Sequence, residues 1–137
     1  MPTTKEFTIH MEDHPGTLGK LCRALADRGV NIVAFQAFPE TKGKSTIRLV
    51  TDNPTTTKTI LDSEHTTHTE TQVAQSMLPH RPGSLARAAV RLGEANLNIN
   101  YAYAGINPGT NSPVVIFGVA EVEKATKILD EVAAAAA

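Results

Sequence analysis

The sequence predicts an α+β protein made from two copies of one unit, and three observations predict it. The stretch DHPGTLGKLCRALADRGVNI (Asp13–Ile32) returns as HRPGSLARAAVRLGEANLNI (His80–Ile99), with Pro, Gly, a hydroxyl residue, Leu, a basic residue, Asn and Ile in register. The hydrophobic period switches along each copy from two, as in a half-buried strand, to the i, i+3, i+4, i+7 spacing of an amphipathic helix. Within 137 residues such a repeat marks two folding units rather than one.

The elements follow in order. Phe7, Ile9 and Met11 alternate with Thr8, His10 and Glu12, giving a strand with one buried face. Leu18, Leu21, Cys22 and Leu25 then form the apolar stripe of a helix, with Thr17 placed to cap its start and Gly29 its left-handed stop. Ile32–Phe38 reads as a second strand, turning through ETKGKS into a third that carries Ile47, Leu49 and Val50. Asp52–Leu61 is a second helix despite its run of threonines, which are mediocre helix formers. The polar stretch Ser63–Glu70 leaves room for a short fourth strand.

The second copy repeats the plan. Val73–Leu78 is its first strand, and Leu85, Ala88, Ala89 and Leu92 match the apolar stripe of the first helix. Asn96 stands where Gly29 stood, and Asn is the other residue that tolerates the left-handed cap, so the two copies are expected to share a backbone. Ile99–Ala104 and Val114–Val119 are strands, and Glu121–Val132 is a last helix running into five alanines. The order β-α-β-β-α-β is ferredoxin-like: an antiparallel sheet with both helices on one face. The units are expected at residues 1–70 and 71–137, side by side, the second without its last strand. Its bare edge then needs cover from the alanine tail, the other half or a partner chain. Units this small bury only about 60% of their unfolded surface, which favours mutual support and a homodimer.

Composition excludes several functions. Thirteen basic against 14 acidic residues give a net charge of −1, with no basic block for nucleic acid or anionic lipid. The start MPTTKEFTIH lacks the apolar core of a signal peptide, and no apolar run approaches the roughly 20 residues that span a membrane. With Cys22 the single cysteine, no internal disulfide can form, and a cytoplasmic setting is expected. Tyr101 and Tyr103 share a strand face, but Ala34 and Gln36 match them in the first copy, so no base-stacking platform repeats. His65 and His68 lack a third metal ligand nearby, and Cys22 belongs to an apolar helix face. No glycine-flanked nucleophile, cofactor motif or metal motif accompanies them, which argues against an enzyme.

The repeated loop carries the functional signal. Pro has no N–H and fixes the backbone leading into the helix, and Gly allows close approach of a ligand. The free N–H groups of the first helical turn suit a carboxylate. The competing reading makes Pro-Gly a tight turn into a helix and Asn31 and Asn98 Asx-turn residues. Both stretches nevertheless resemble the first loop, helix and second strand of an ACT domain, the D/N-x-P-G-x-L…G-V/I-N-I pattern standing as DHPGTL…GVNI in the first copy and varied as HRPGSL…NLNI in the second.

That resemblance implies regulation by a bound free amino acid, held where two ACT units pair, between one unit's first loop and its neighbour's first helix or second strand. Carried over, the site residues are Asp13, His14, Pro15, Gly16, Thr17 and Leu18 with Asn31 and Ile32 in the first copy. In the second they are His80, Arg81, Pro82, Gly83, Ser84 and Leu85 with Asn98 and Ile99. Dehydrogenase-type members open the loop with His-x-Asn; here those places hold Met11 and Asp13, then Leu78 and His80. The two sites are therefore chemically unlike, Asp13 suiting an ammonium and His80 or Arg81 a carboxylate. No metal or cofactor is implied, and the expected partners are the amino acid, a second copy of the chain and a regulated enzyme or regulator. The other reading is a structural oligomerisation module whose pockets stay empty.

Overall fold

The computed structural model describes residues 3–136. The chain divides into two compact units, Lys5–Thr71 and Gln72–Ala137, with Met1–Thr4 grouped with the second. In the first unit β1 (Thr4–Glu12), α1 (Thr17–Asp27), β2 (Ile32–Pro39), β3 (Lys44–Thr51) and α2 (Pro54–Ser63) precede β4 (His68–Met77). β1 pairs antiparallel with β3, Phe7 opposite Leu49 and Glu12 opposite Lys44. β3 pairs with β2, Ile32 opposite Thr51 and Pro39 opposite Ser45. The chain entering β4 lies beside β1, where the His10 N–H donates to the Thr67 carbonyl and Lys5 pairs with Glu70. The order β4-β1-β3-β2 is the ferredoxin-like one.

Phe7, Ile9, Ile47 and Leu49 project from one face of this sheet onto Leu21 and Leu25 of α1 and Ile60 and Leu61 of α2. The period of two in the strands and of 3.6 in the helices thus meet in one core. Removing one of these fully buried leucines, such as Leu25, costs about 2–5 kcal/mol by the usual cavity argument.

The second unit has the later residues of β4, then α3 (Ser84–Glu94), β5 (Tyr101–Ile106), β6 (Pro113–Gly118) and α4 (Val122–Ala136). β6 pairs antiparallel with β4, Ala74 opposite Phe117, and with β5, Tyr101 opposite Gly118. Its core joins Ala74 and Phe117 to Ala88 and Leu92 of α3 and Leu129 and Val132 of α4. Among the described residues no strand follows α4, and the Thr3 hydroxyl bonds Gln72 within this unit.

The helix stops follow the sequence closely. At the end of α1, Gly29 has φ 71°, its N–H donates to Ala26, and the Val30 N–H reaches back to Leu25. At the end of α3, Asn96 has φ 60°, its N–H donates to Gly93, and the Leu97 N–H reaches Leu92. Both are Schellman motifs, with Val30 and Leu97 buried in the respective cores. α2 closes the same way through His65 at φ 54°, so this histidine is a helix stop.

Four expectations change. Thr17 does not cap α1: Gly16 is the N-cap, and the Thr17 hydroxyl donates instead to the His14 carbonyl at 3.0 Å. Helix α2 begins only at Pro54, capped by the Asn53 side chain, because Pro is suited to the first helical position. The short fourth strand and the strand at Val73–Leu78 are one continuous strand, β4, since nothing between them can break it. Leu85 is 54% exposed, and Ser84 takes the buried place at the start of α3. The alanines to Ala136 extend α4, as expected of the best helix former.

Candidate functional site

Each repeated loop is a type II turn feeding a helix. Pro15 and Gly16 are the central residues of the first: Gly16 has φ 93°, ψ −15°, and the Thr17 N–H donates to the His14 carbonyl at 3.3 Å. Pro82 and Gly83 repeat it, Gly83 at φ 90°, ψ −13°, with the Ser84 N–H donating to the Arg81 carbonyl at 3.3 Å. Pro presets the first central residue, and glycine takes the left-handed second. A Cβ at either glycine would meet nothing within 4 Å, so φ, rather than crowding, is what requires glycine.

The first helical hydrogen bonds run from Lys20 N–H to the Gly16 carbonyl and from Arg87 N–H to the Gly83 carbonyl, both 3.0 Å. No side chain caps α1 or α3. The N–H groups of Leu18 and Gly19, and of Leu85 and Ala86, therefore remain as donors at the positive end of a helix, an arrangement suited to an anion.

Around the first turn Asp13 is exposed and held by its N–H to the Gly43 carbonyl at 2.8 Å. His14 Nδ1 lies 3.1 Å from the Thr17 hydroxyl. On one side of the turn is a cavity of about 460 Å³, floored by Met11, Leu21 and Ala24 and bordered by Glu12, Lys20, Glu64 and Thr66. On the other side a space of about 190 Å³ runs from Asp13 and Leu18 to Phe38 and Pro39 of β2. Lys44 Nζ donates to Glu12 Oε1 at 2.5 Å, and this bond and charge hold the Glu12 carboxyl below its ordinary range. Burial pushes the thiol of the half-buried Cys22 upward.

Around the second turn His80 is exposed beside a hollow of about 340 Å³ shared with Pro79, Thr110 and Ala133. The Arg81 guanidinium is turned to the end of α4, where Nη2 donates to the Ala136 carbonyl at 3.2 Å.

Asn31 and Asn98 do not join these loops within their own units. The Asn31 N–H donates to Asp52 Oδ1 at 2.9 Å and its carbonyl accepts from the Asp52 N–H at 3.0 Å, next to the Ile32–Thr51 pair. The first turn follows Glu12 at the other end of the same sheet, opposite Lys44. Asn98 bonds Asn100, whose N–H donates to Gly118, whereas the second turn follows Met77 at the Val114 end. Ile32 and Ile99 are half-buried against their own cores. No single unit therefore brings its turn and its asparagine together.

Sequence reasoning placed Met11 only at the opening of the loop and did not find Glu12, Lys20, Leu21, Ala24, Glu64 or Thr66 as neighbours of it. For Lys20 and Ala24 a signal existed: they stand four and eight residues after Gly16, on the helix face that continues the turn. For Glu64 and Thr66 no local signal existed, because the fold brings them there.

The first unit has the strand order β4-β1-β3-β2 and the second the order β4-β6-β5, and in each a Pro-Gly turn leads from the first strand into the first helix of a ferredoxin-like plan. The family model of the ACT domain matches residues 6–63, and the first unit is an ACT domain. The fold of the whole chain is similar to that of a solved protein from Bacteroides thetaiotaomicron, at TM-score 0.82 and 23% identity over 94% of this chain and 88% of that one. It is also similar to the ligand-free regulatory subunit of aspartate kinase from Thermus thermophilus, at TM-score 0.65 and 15% identity over 95% and 91%. The corresponding subunit from Thermus flavus gives TM-score 0.62 and 14% identity over 95% and 92%. No curated protein matches in sequence. No helix among the described residues is long and apolar enough to cross a membrane.

Proposed function

We propose that this ACT-domain protein is a regulatory sensor that binds a free amino acid at its Pro-Gly turns and has no catalytic activity of its own. The observation that carries this reading is the uncapped helix start behind a glycine-fixed turn, opening on a cavity of about 460 Å³ in the first unit. That volume lies within the about 300–1,000 Å³ of small-molecule sites. The similar folds of aspartate kinase regulatory subunits support a regulatory role. Since each unit's asparagine lies away from its own turn, a site using both draws the asparagine from another ACT unit. Binding then biases an association, with a second copy of the chain or with a regulated enzyme or regulator, because the ligand prefers one state.

The test is a thermal-shift series with the twenty amino acids on the purified chain. A ligand at 100 times its Kd adds about 2.7 kcal/mol. With about 2.1 cal/mol/K of unfolding entropy per residue, this raises Tm by about 9 °C for the whole chain. No shift with any amino acid at millimolar concentration overturns the reading.

A further inference from the structure

We propose that the first turn alone carries the ligand, and that the ligand is an α-amino acid with an apolar side chain, seated in the cavity on the helix side of that turn. This rests on the amino-acid reading above and assigns the residues and the ligand class. The cavity floor is apolar, formed by Met11, Leu21 and Ala24. Its border carries one cation and one anion, Lys20 and Glu64, neither of them in an ion pair among the described residues. Glu12 also borders it, but its carboxylate is already held by Lys44. Two unpaired opposite charges above an apolar floor match a zwitterion. Its carboxylate faces Lys20 and the free N–H groups of α1, its ammonium faces Glu64, and its side chain lies on Leu21 and Ala24.

The repeat supplies an internal control. Arg91 stands in α3 where Ala24 stands in α1, and its Nη2 donates to Glu131 Oε2 of α4 at 2.8 Å. α2 ends at Ser63 and leaves Glu64 at the cavity, whereas α4 continues to Ala136, whose carbonyl accepts from the Arg81 guanidinium. In the second unit a salt bridge and an extra stretch of helix therefore cross the space that the first unit leaves open. The hollow beside His80 has no opposed pair of charges on its walls.

Calorimetric titration of the full chain with L-leucine, L-methionine and L-phenylalanine, against L-aspartate and L-lysine, tests this. The apolar amino acids are expected to bind, and the charged ones at least tenfold more weakly. Ala24→Arg, which copies Arg91 into the first unit, is expected to raise Kd at least tenfold, and Arg91→Ala to leave it within twofold. A second variant, Glu64→Gln, is expected to weaken L-leucine severalfold without changing the affinity of 4-methylpentanoate, which lacks the ammonium. Unchanged leucine affinity in a folded Ala24→Arg or in Glu64→Gln overturns the cavity assignment and leaves amino-acid sensing standing. Preference for a charged amino acid overturns the ligand class. Binding of no amino acid to the unaltered chain overturns the sensing reading and this inference with it.

Discussion

Substituting Gly16 by alanine isolates the backbone term of the turn. At φ 93° a side chain enters a region that L-residues rarely adopt, at a cost of about 1–2 kcal/mol. No steric term adds to it, because the new Cβ has nothing within 4 Å. Loss of glycine's freedom in the unfolded chain returns about 0.5 kcal/mol, leaving a net destabilisation of about 1 kcal/mol. From the per-residue unfolding entropy, Tm falls by about 3 °C if the whole chain melts as one unit and about 7 °C if the first unit melts alone. Gly19→Ala is the control: Gly19 lies inside α1 with an ordinary helical φ and open space, so alanine there stabilises by up to about 0.5–1 kcal/mol. Calorimetric melts of the two variants should move in opposite directions. If Gly16→Ala raises Tm as Gly19→Ala does, the turn is not type II in solution, and the account of the Pro-Gly pair fails.

Two further outcomes follow from the same structure. At Asn96, φ 60°, glycine should stabilise by a few tenths of a kcal/mol and alanine destabilise by about 1 kcal/mol, read as shifts in urea midpoint at constant m; equal midpoints would refute the left-handed cap. The Glu12 carboxyl should titrate below its ordinary 4.5 because Lys44 bonds its charged form, so its contribution to stability is present above that value and is lost as pH falls through the lower folded value. NMR titration reads the midpoint, which Lys44→Ala should raise toward 4.5; an unmoved midpoint would dissociate the pair.

What the sequence made legible was mostly backbone. The type II turns, the two left-handed stops at Gly29 and Asn96, and the core stripe Leu21–Leu25 all follow from residues close in the chain, whose conformational preferences act locally. Thr17 misled because a hydroxyl after Pro-Gly looks like a cap, yet the turn already makes Gly16 the N-cap and sends the hydroxyl to His14. β4 was split in two because its first residues are polar and exposed, so the alternation that marks a strand is absent there although the strand is not. The cavity was invisible for a different reason. Its floor comes from residues 11–24 and its far wall from residues 64–66, and no spacing rule connects them.

The repeat separates two kinds of constraint. Where the copies agree, at Pro-Gly and at the left-handed stop, the shared quantity is a dihedral angle, and the buried helix positions Leu21 and Leu25 recur as Ala88 and Leu92. Asn96 can replace Gly29 because both reach φ near 60–70°. Where the copies differ, at Ala24 against Arg91 and in the length of the last helix, the backbone plan is unaffected, but the space beside the turn is open in one unit and bridged in the other. On the proposed reading a second binding site needs more than the common backbone: it also needs the Arg91–Glu131 pair and the end of α4 to be out of that space. Two equal Pro-Gly turns therefore do not entail two equal sites. On that reading the chemistry of the pair is decided at a helix position inside the repeated stretch where the two copies differ, Ala24 against Arg91.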